Sequence, residues 1–150
     1  MRVLLQRVTR GSVTVDGGVT GEVDDGYVVL VGITHGDSEA HADVLARKVA
    51  VLRVFDDEQG KMNRSILDTN GGVLIISQFT LYADAKGQRR PSYMQAARPE
   101  HAAPLVDYFC ERLRSEGIQR VETGVFGAMM QVEIHNDGPV TIWLDSDDHV

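Results

Sequence analysis

The sequence predicts an α+β fold, in which a curved antiparallel or mixed β-sheet, or a partial barrel, is covered by two main helices. Three observations predict it: short strand patterns bounded by turn residues, two segments of helical periodicity, and a chain without repeats, linkers or low-complexity stretches. The 150 residues, 43% hydrophobic and 25% charged, have the size and composition of a single domain over residues 1–150.

The first third of the chain has the pattern of β-hairpins. Residues Ser12–Asp16 and Val19–Val23 alternate polar and apolar side chains around the turn Asp16-Gly17-Gly18. The turn Asp24-Asp25-Gly26 then leads into Tyr27–Ile33, whose β-branched run is typical of a strand buried on both faces.

Two helices are predicted from apolar residues at helical spacing. The first has Asp37 or Ser38 as its cap, and its stripe is Ala42, Leu45, Ala46, Val49 and Leu52. The second is opened by Pro99 and ended by Gly117, and its stripe is Ala102, Leu105, Val106, Phe109, Cys110 and Leu113. Pro104 predicts a kink or a late start of this second helix.

The remaining segments are a polar loop and further short strands. Asp56–Lys61 is the loop, and Val73–Ser77 is a buried strand that follows the turn Asn70-Gly71-Gly72. The later strands are Gln119–Glu122, Met130–His135 and Val140–Leu144. Between the last two, Gly138-Pro139 marks a sheet edge or a turn, with an ordinary tight turn more common than a cis bond.

The charge is unevenly distributed. A formal net charge of −7 argues against a protein whose whole surface binds nucleic acid. The segment 85–99 nevertheless holds Lys86, Arg89, Arg90 and Arg98 and no acidic residue. These cations could contact a few phosphates at one place, although solvated loop charges are the commoner explanation on composition alone.

Composition also bears on the compartment. The single cysteine, Cys110, excludes an internal disulfide and suits a reducing environment. No apolar stretch is long enough to span a bilayer, and the first residues lack a signal-peptide core. We therefore expect a cytoplasmic protein with no membrane partner.

Metal and cofactor sites have no support in the sequence. The five histidines lack the spacing of paired ligands, and Asp56-Asp57-Glu58 lacks the alternating ligands of a calcium loop. The glycines form neither a Walker loop nor a strand–GxGxxG–helix unit. We expect no metal and no cofactor.

Polar residues follow the predicted strand Val73–Ser77. Ser77, Gln78 and Thr80 stand directly beyond it, where hydroxyl and amide groups could face a cleft. Capping or hydrogen bonding of a turn is the usual alternative for such residues. Ser77 is not flanked by glycines, so the segment is not a hydrolase nucleophile elbow.

Two motifs together resemble the D-aminoacyl-tRNA deacylase family. They are Ser77-Gln78-Phe79-Thr80-Leu81 and Asn136-Asp137-Gly138-Pro139-Val140-Thr141. The resemblance continues through Gly60–Asn63, Arg90–Tyr93 and Gly124–Met130 and covers nearly the whole chain except its last residues. Tyr93 stands where many members have phenylalanine, and Gly87 lies one position early in its loop.

The resemblance implies the family's fold and a hydrolase that cleaves the ester between a D-amino acid and the terminal adenosine of tRNA. This reaction is a chirality proofreading step in translation. The resemblance also implies a homodimer with active sites at the subunit interface. The cis Gly138-Pro139 pair would act as a chirality gate, its carbonyls reaching into the partner's pocket.

The same resemblance assigns roles to the first motif. Ser77 and Gln78 would line the substrate pocket, Phe79 would lie in the adenine region, and Thr80 beside the scissile ester. A positioned water and donors for the oxyanion would suffice for an ester, and the family suggests assistance from the ribose 2′-hydroxyl. Because a steric gate cannot detect a missing side chain, we expect glycyl-tRNA to be hydrolysed too.

Two other functions stay open on the sequence alone. One is an esterase or peptidase with Thr80 or Ser77 as nucleophile, which predicts an acyl-enzyme. The other is a non-catalytic RNA-binding module, which predicts tRNA binding with or without the ester and a steep salt dependence.

Overall fold

The structure, a computed structural model that describes residues 1–149, is a mixed β-sheet with two long helices on one face. Its elements in chain order are β1 (Arg2–Val15), β2 (Gly18–Val23), β3 (Gly26–Gly32), α1 (Glu39–Val51), β4 (Phe55–Asp56), β5 (Met62–Arg64), α2 (Ile66–Thr69), β6 (Gly72–Ser77), a 3-10 helix (Phe79–Tyr82), α3 (Pro99–Ser115), β7 (Val121–Thr123), β8 (Gln131–Asp145) and a 3-10 turn (Ser146–Asp148). No helix in the described part of the chain is long and apolar enough to cross a membrane.

The sheet is arranged around β1. The strand order is β2-β1-β3-β6-β7, and β8 also pairs with β1. The three partners of β1 are all antiparallel to it, whereas β3, β6 and β7 are parallel neighbours. The sheet is therefore mixed, which confirms the predicted fold class.

Two apolar cores lie on the two faces of the sheet. One joins the sheet to α1 and α3, and it contains the fully buried Phe109 and Leu113 of α3. The other contains Val8, Val13, Val23, Val28, Leu74 and Ile76 and no helical residue. A Cβ on Gly21 would lie 2.7 Å from the Thr123 carbonyl oxygen, so β2 approaches β7 closely and the sheet curls towards a barrel.

Both predicted helices are present. Ser38 is the N-cap of α1, whereas Asp37 instead accepts from the Thr34 N–H at 2.8 Å. Pro99 is in the first turn of α3, so the late start predicted from Pro104 is wrong. All six residues of the predicted α3 stripe are buried.

The structure adds elements that the sequence patterns did not predict. The polar loop at Asp56–Lys61 is closed by the short hairpin of β4 and β5, and α2 follows it. β1 begins at Arg2, well before the alternating segment Ser12–Asp16 that predicted it. These pairings depend on distant partners, which a local pattern cannot show.

The last strand differs from its prediction. Met130–His135 and Val140–Leu144 were expected as two strands, but both belong to β8 and pair with β1 in one direction. Asn136 lies opposite Val8 and Thr141 opposite Gln6, so residues 137–140 protrude opposite Arg7 alone. We call residues 137–140 the Gly-Pro bulge. An ordinary tight turn is therefore wrong, because the chain does not reverse.

Candidate active site

Parallel strands bring the segments that follow them to one edge of the sheet. Ser77, the last residue of β6, lies opposite Val31 of β3. The Gln78 N–H donates to the Val31 carbonyl oxygen at 2.7 Å, so the pairing continues one residue past β6. The residues after Ser77 therefore start from a fixed position at the carboxyl end of the sheet.

The 3-10 helix turns the chain directly after Gln78. The Leu81 N–H donates to the Gln78 carbonyl at 3.2 Å, and the Ala83 N–H donates to the Thr80 carbonyl at 3.0 Å. A Cβ on Gly32 would lie 2.9 Å from the Leu81 Cβ. Glycine at this position therefore lets the helix lie against the end of β3.

Arg2 holds the last residues of this helix. Its guanidinium donates to the Leu81 carbonyl at 2.9 Å and to the Asp145 carboxylate at 3.0 Å, and it lies 4.3 Å from the centre of the Tyr82 ring. Burial, reinforced by the carboxylates of Asp37 and Asp145, raises the pKa of the Tyr82 phenol. Tyr82 is therefore a neutral packing residue rather than a base.

The hydroxyl groups of Ser77 and Thr80 have no activating base among the residues that the structure describes. The Gln78 side-chain amide donates to Thr80 Oγ1, which leaves the hydroxyl proton of Thr80 free to donate elsewhere. Within residues 1–149, no hydrogen bond joins either hydroxyl to a histidine or a carboxylate. A serine or threonine nucleophile needs such a base, so this geometry does not favour a side-chain nucleophile.

Phe79 and Tyr93 form an aromatic surface beside this segment. Their ring centres are 5.0 Å apart in an edge-to-face arrangement. Phe79 is 56% exposed and Tyr93 is 40% exposed, which is unusual for large aromatic side chains. A planar ligand group could stack on or against this pair.

The Gly-Pro bulge is a second polar feature, and it presents backbone to solvent. Gly138 and Pro139 are exposed, and their peptide bond is cis, as the family resemblance implied. The Asn136 side chain accepts from the Val140 N–H at 3.0 Å and donates to Thr141 Oγ1 at 2.8 Å, which closes the base of the bulge.

Arg7 supports the bulge from beneath. Its side chain is almost fully buried, and Nε lies 3.2 Å from both the carbonyl oxygen and a carboxylate oxygen of Asp137. Nη1 donates to the Val54 carbonyl at 2.6 Å. One guanidinium therefore ties the bulge to the chain segment after α1.

The structure does not bring the two features together within one chain. Ser77 pairs with Val31 of β3, which in turn pairs with Val3 of β1. The bulge instead lies opposite Arg7, on the other side of β1. Four residues of strand span roughly 13 Å, and the three strand spacings from β6 to β8 add roughly 14 Å sideways. Ser77, Gln78, Phe79 and Thr80 are thus grouped, and Gly138 and Pro139 lie apart from them.

Residues 4–145 match the protein family described as D-Tyr-tRNA(Tyr) deacylase. This chain belongs to that family. The membership confirms the resemblance seen in the two sequence motifs, and it covers the grouped residues and the Gly-Pro bulge alike.

Relatives named as D-aminoacyl-tRNA deacylases agree with this assignment, and solved structures share the fold. The D-aminoacyl-tRNA deacylase of Thermomicrobium roseum is 61% identical over 97% of this chain and 94% of its own length, and that of Thermus aquaticus is 58% identical over 97% and 95%. The c-Myc DNA unwinding element binding protein has a TM-score of 0.91 at 41% identity, covering 97% and 98% of the two chains. A probable eukaryotic D-amino acid tRNA deacylase has a TM-score of 0.78 at 20% identity, covering 95% and 97%, and shares the fold.

Sequence reasoning missed Arg7 and Arg2, which hold the two features of this deacylase-family chain in place. Arg7 had a signal, since it continues the inward-facing series Val3 and Leu5 of β1 and is buried like them. Arg2 had none, because its partners Leu81 and Asp145 are distant in sequence. No cluster of metal-ligating side chains occurs among residues 1–149.

Proposed function

We propose that this protein hydrolyses the ester between a D-amino acid and the 3′-terminal adenosine of tRNA, as a chirality proofreading step in translation. The observation that carries the proposal is the Gly-Pro bulge, an exposed stretch of backbone held by the buried Arg7. Backbone atoms can test the configuration of an α-carbon whatever the side chain, so one site serves many amino acids. Family membership supports the ester of aminoacyl-tRNA as the bond cleaved.

The Ser77–Thr80 segment would form the pocket for this ester. Phe79, exposed and in contact with Tyr93, offers a face for the terminal adenine. Ser77 and Gln78 would line the pocket, and Thr80 would lie beside the ester, where its free hydroxyl proton can donate to the substrate. The N–H groups of Phe79 and Thr80 donate to no backbone carbonyl within residues 1–149, so they can stabilise a developing oxyanion.

The attacking group in this mechanism is a positioned water. An ester of a ribose hydroxyl needs little activation, so orientation of water and oxyanion stabilisation can supply the rate. Neither hydroxyl of the segment is paired with a base, which fits a mechanism without a covalent intermediate. The neighbouring 2′-hydroxyl of the substrate can assist the proton transfer.

The gate is proposed to act on the pocket of a partner subunit in a symmetric dimer. The bulge and the pocket are too far apart in one chain to contact the same α-carbon, whereas a two-fold axis can pair each bulge with the opposite pocket. Two further features favour a second copy: β8 pairs only with β1 in the described part of the chain, and Trp143 on it is 47% exposed. Sedimentation equilibrium should show a dimer, and a fully active monomer would remove this part of the proposal.

The test of function compares D- and L-aminoacyl-tRNA carrying the same amino acid on the same tRNA body. We expect release of the D-amino acid and little release of the L-amino acid. Equal hydrolysis of both would contradict a chirality gate, and trapping of an aminoacyl adduct on Thr80 or Ser77 would favour the nucleophilic esterase. Binding of tRNA without any hydrolysis would instead favour the RNA-binding module.

A further inference from the structure

We propose that residues Asp84–Ser92, called the basic loop from here on, contact backbone phosphates of the tRNA acceptor stem while the 3′ end occupies the pocket. This inference rests on the proposed function, and it adds which surface holds the stem. The loop would touch phosphates rather than bases, and its contribution would therefore not depend on the stem sequence.

The base of the loop belongs to the candidate active site. Asp84 and Ser92 exchange two backbone hydrogen bonds of 2.8 Å, which makes residues 84–92 a closed hairpin loop. Asp84 follows the 3-10 helix that carries Thr80, separated from it by Ala83 alone. Tyr93, the residue after Ser92, packs against Phe79. An RNA end bound at Phe79 and Thr80 therefore leaves the pocket next to this loop.

The segment that leaves the loop is fixed to the residues that follow β3. The Thr34 hydroxyl donates to the Gln95 carbonyl at 2.6 Å, and His35 Nε2 donates to the Met94 carbonyl at 2.7 Å. The Ala97 N–H donates to the Ile33 carbonyl at 2.9 Å. These bonds, together with the Asp84–Ser92 pair at the base of the loop, set the direction in which its tip projects.

The tip is positively charged, and its cations have no protein partners in the described part of the chain. Lys86, Arg89 and Arg90 are exposed, and none forms a salt bridge within residues 1–149. Asp84 is the one acidic residue of the loop, and its carboxylate accepts from the Lys86 N–H at 2.9 Å. Arg98 lies outside the loop and 3.9 Å from Glu100, so we do not count it among the phosphate contacts.

The overall charge of the chain opposes nonspecific phosphate binding. The whole chain carries a net charge of −7, so its overall charge repels a polyanion. The backbone of the loop, with four residues from base to tip, extends at most about 13 Å. That reach suits the start of a duplex joined to an RNA end in the pocket, and it does not extend to remote parts of a tRNA.

The experiment compares Arg89→Gln/Arg90→Gln with the control Arg47→Gln/Lys48→Gln, which removes the same charge from α1. Each enzyme is assayed on D-aminoacyl-tRNA and on a D-aminoacyl ester of adenosine, which has no stem. For the loop variant, the ratio of kcat/KM for the tRNA ester to that for the adenosine ester should fall on the order of tenfold. The slope of log kcat/KM against log salt on tRNA should become shallower by about 2, one for each lost phosphate contact.

The outcomes separate the loop from the proposed function. An unchanged ratio and salt slope in a folded loop variant, or equal changes in the α1 control, overturns the phosphate contact. A loss of the same size on both substrates also overturns it, because the loop would then act on the chemistry. If the wild type cleaves neither ester, the proposed function itself is wrong. The assignment of the acceptor stem as the ligand of the loop is then wrong as well.

A replacement variant and a change in the stem sequence test the same contact. Should the double variant fail to fold by circular dichroism, Lys86→Gln tests the same surface, with an expected change in slope of about 1. Exchanging base pairs within the stem should leave the salt slope unchanged. A slope that depends on those bases would contradict phosphate contact.

Discussion

Replacing Gly138 by alanine should weaken discrimination between D- and L-esters in a protein that still folds. The backbone at Gly138 has φ of +123°, which alanine rarely adopts. The new Cβ would lie 2.9 Å from Val140 Cγ2 and 3.1 Å from Arg7 Nη2. Because Arg7 is buried and bonded to Val54, the bulge has to move rather than the guanidinium.

The expected magnitudes follow from these contacts. A residue held in an unfavourable backbone region costs about 1–3 kcal/mol of folding stability. A bulge displaced from its place over the α-carbon should lower the D:L ratio of kcat/KM by about 10- to 100-fold, or 1.4 to 2.8 kcal/mol. The pocket residues are unchanged, so hydrolysis of the D-ester should persist.

The matched control for this variant is Gly17→Ala. Gly17 has φ of +80°, and a Cβ there meets nothing within 4 Å, so this change has the backbone cost without the contacts. Thermal unfolding followed by circular dichroism gives the stability of both variants, and single-turnover hydrolysis of the two esters gives the ratio. A folded Gly138→Ala enzyme with the wild-type D:L ratio would refute the role assigned to the bulge.

Three further outcomes are expected. Thr80→Val should slow turnover but leave measurable D-selective hydrolysis, because no base activates the hydroxyl; complete loss of activity in a folded variant contradicts this. Glycyl-tRNA should be hydrolysed, because a gate that excludes L side chains by steric clash has nothing to exclude in glycine. If glycyl-tRNA is as resistant as the L-ester, the site must instead bind the D side chain by favourable contacts. Burial raises the pKa of the Cys110 thiol to about 11. A thiol reagent at pH 8 should therefore label the native protein very slowly and the unfolded protein fast. Fast labelling of the native protein would contradict the packing of α3.

The sequence predicted those elements whose signals are local. The stripe of α3 and the turn at Asp16-Gly17 depend only on neighbouring residues, and both occur in the structure. The course of β8 through the Gly-Pro bulge depends on its pairing with the distant β1, and the sequence alone suggested a turn instead. Long-range pairing is decided by the assembled sheet rather than by any short segment.

The candidate site divides in the same way. The residues Ser77 to Thr80 and the pair Gly138-Pro139 were found from motifs, and their roles stay predictions. Arg2 could not be found, because the Leu81 carbonyl that it binds is distant in sequence. The alternation of β1 indicated that Arg7 is buried, but not that it binds the Val54 carbonyl. The role of a buried arginine depends on the groups that it binds, and only the three-dimensional structure shows which groups these are.

The Gly-Pro bulge of one subunit is proposed to serve the pocket of the other, and mixing two defective variants tests this directly. Thr80→Trp would fill the pocket and leave the bulge intact, whereas Gly138→Val would distort the bulge and leave the pocket intact. After subunit exchange, half of the dimers should be mixed, and each should combine one intact pocket with one intact bulge. Because ungated Gly138→Val pockets cleave both esters, hydrolysis of the L-ester should fall to about half of its value before exchange, while hydrolysis of the D-ester stays the same. If exchange is verified by mass and hydrolysis of the L-ester does not fall, the bulge does not act across the interface.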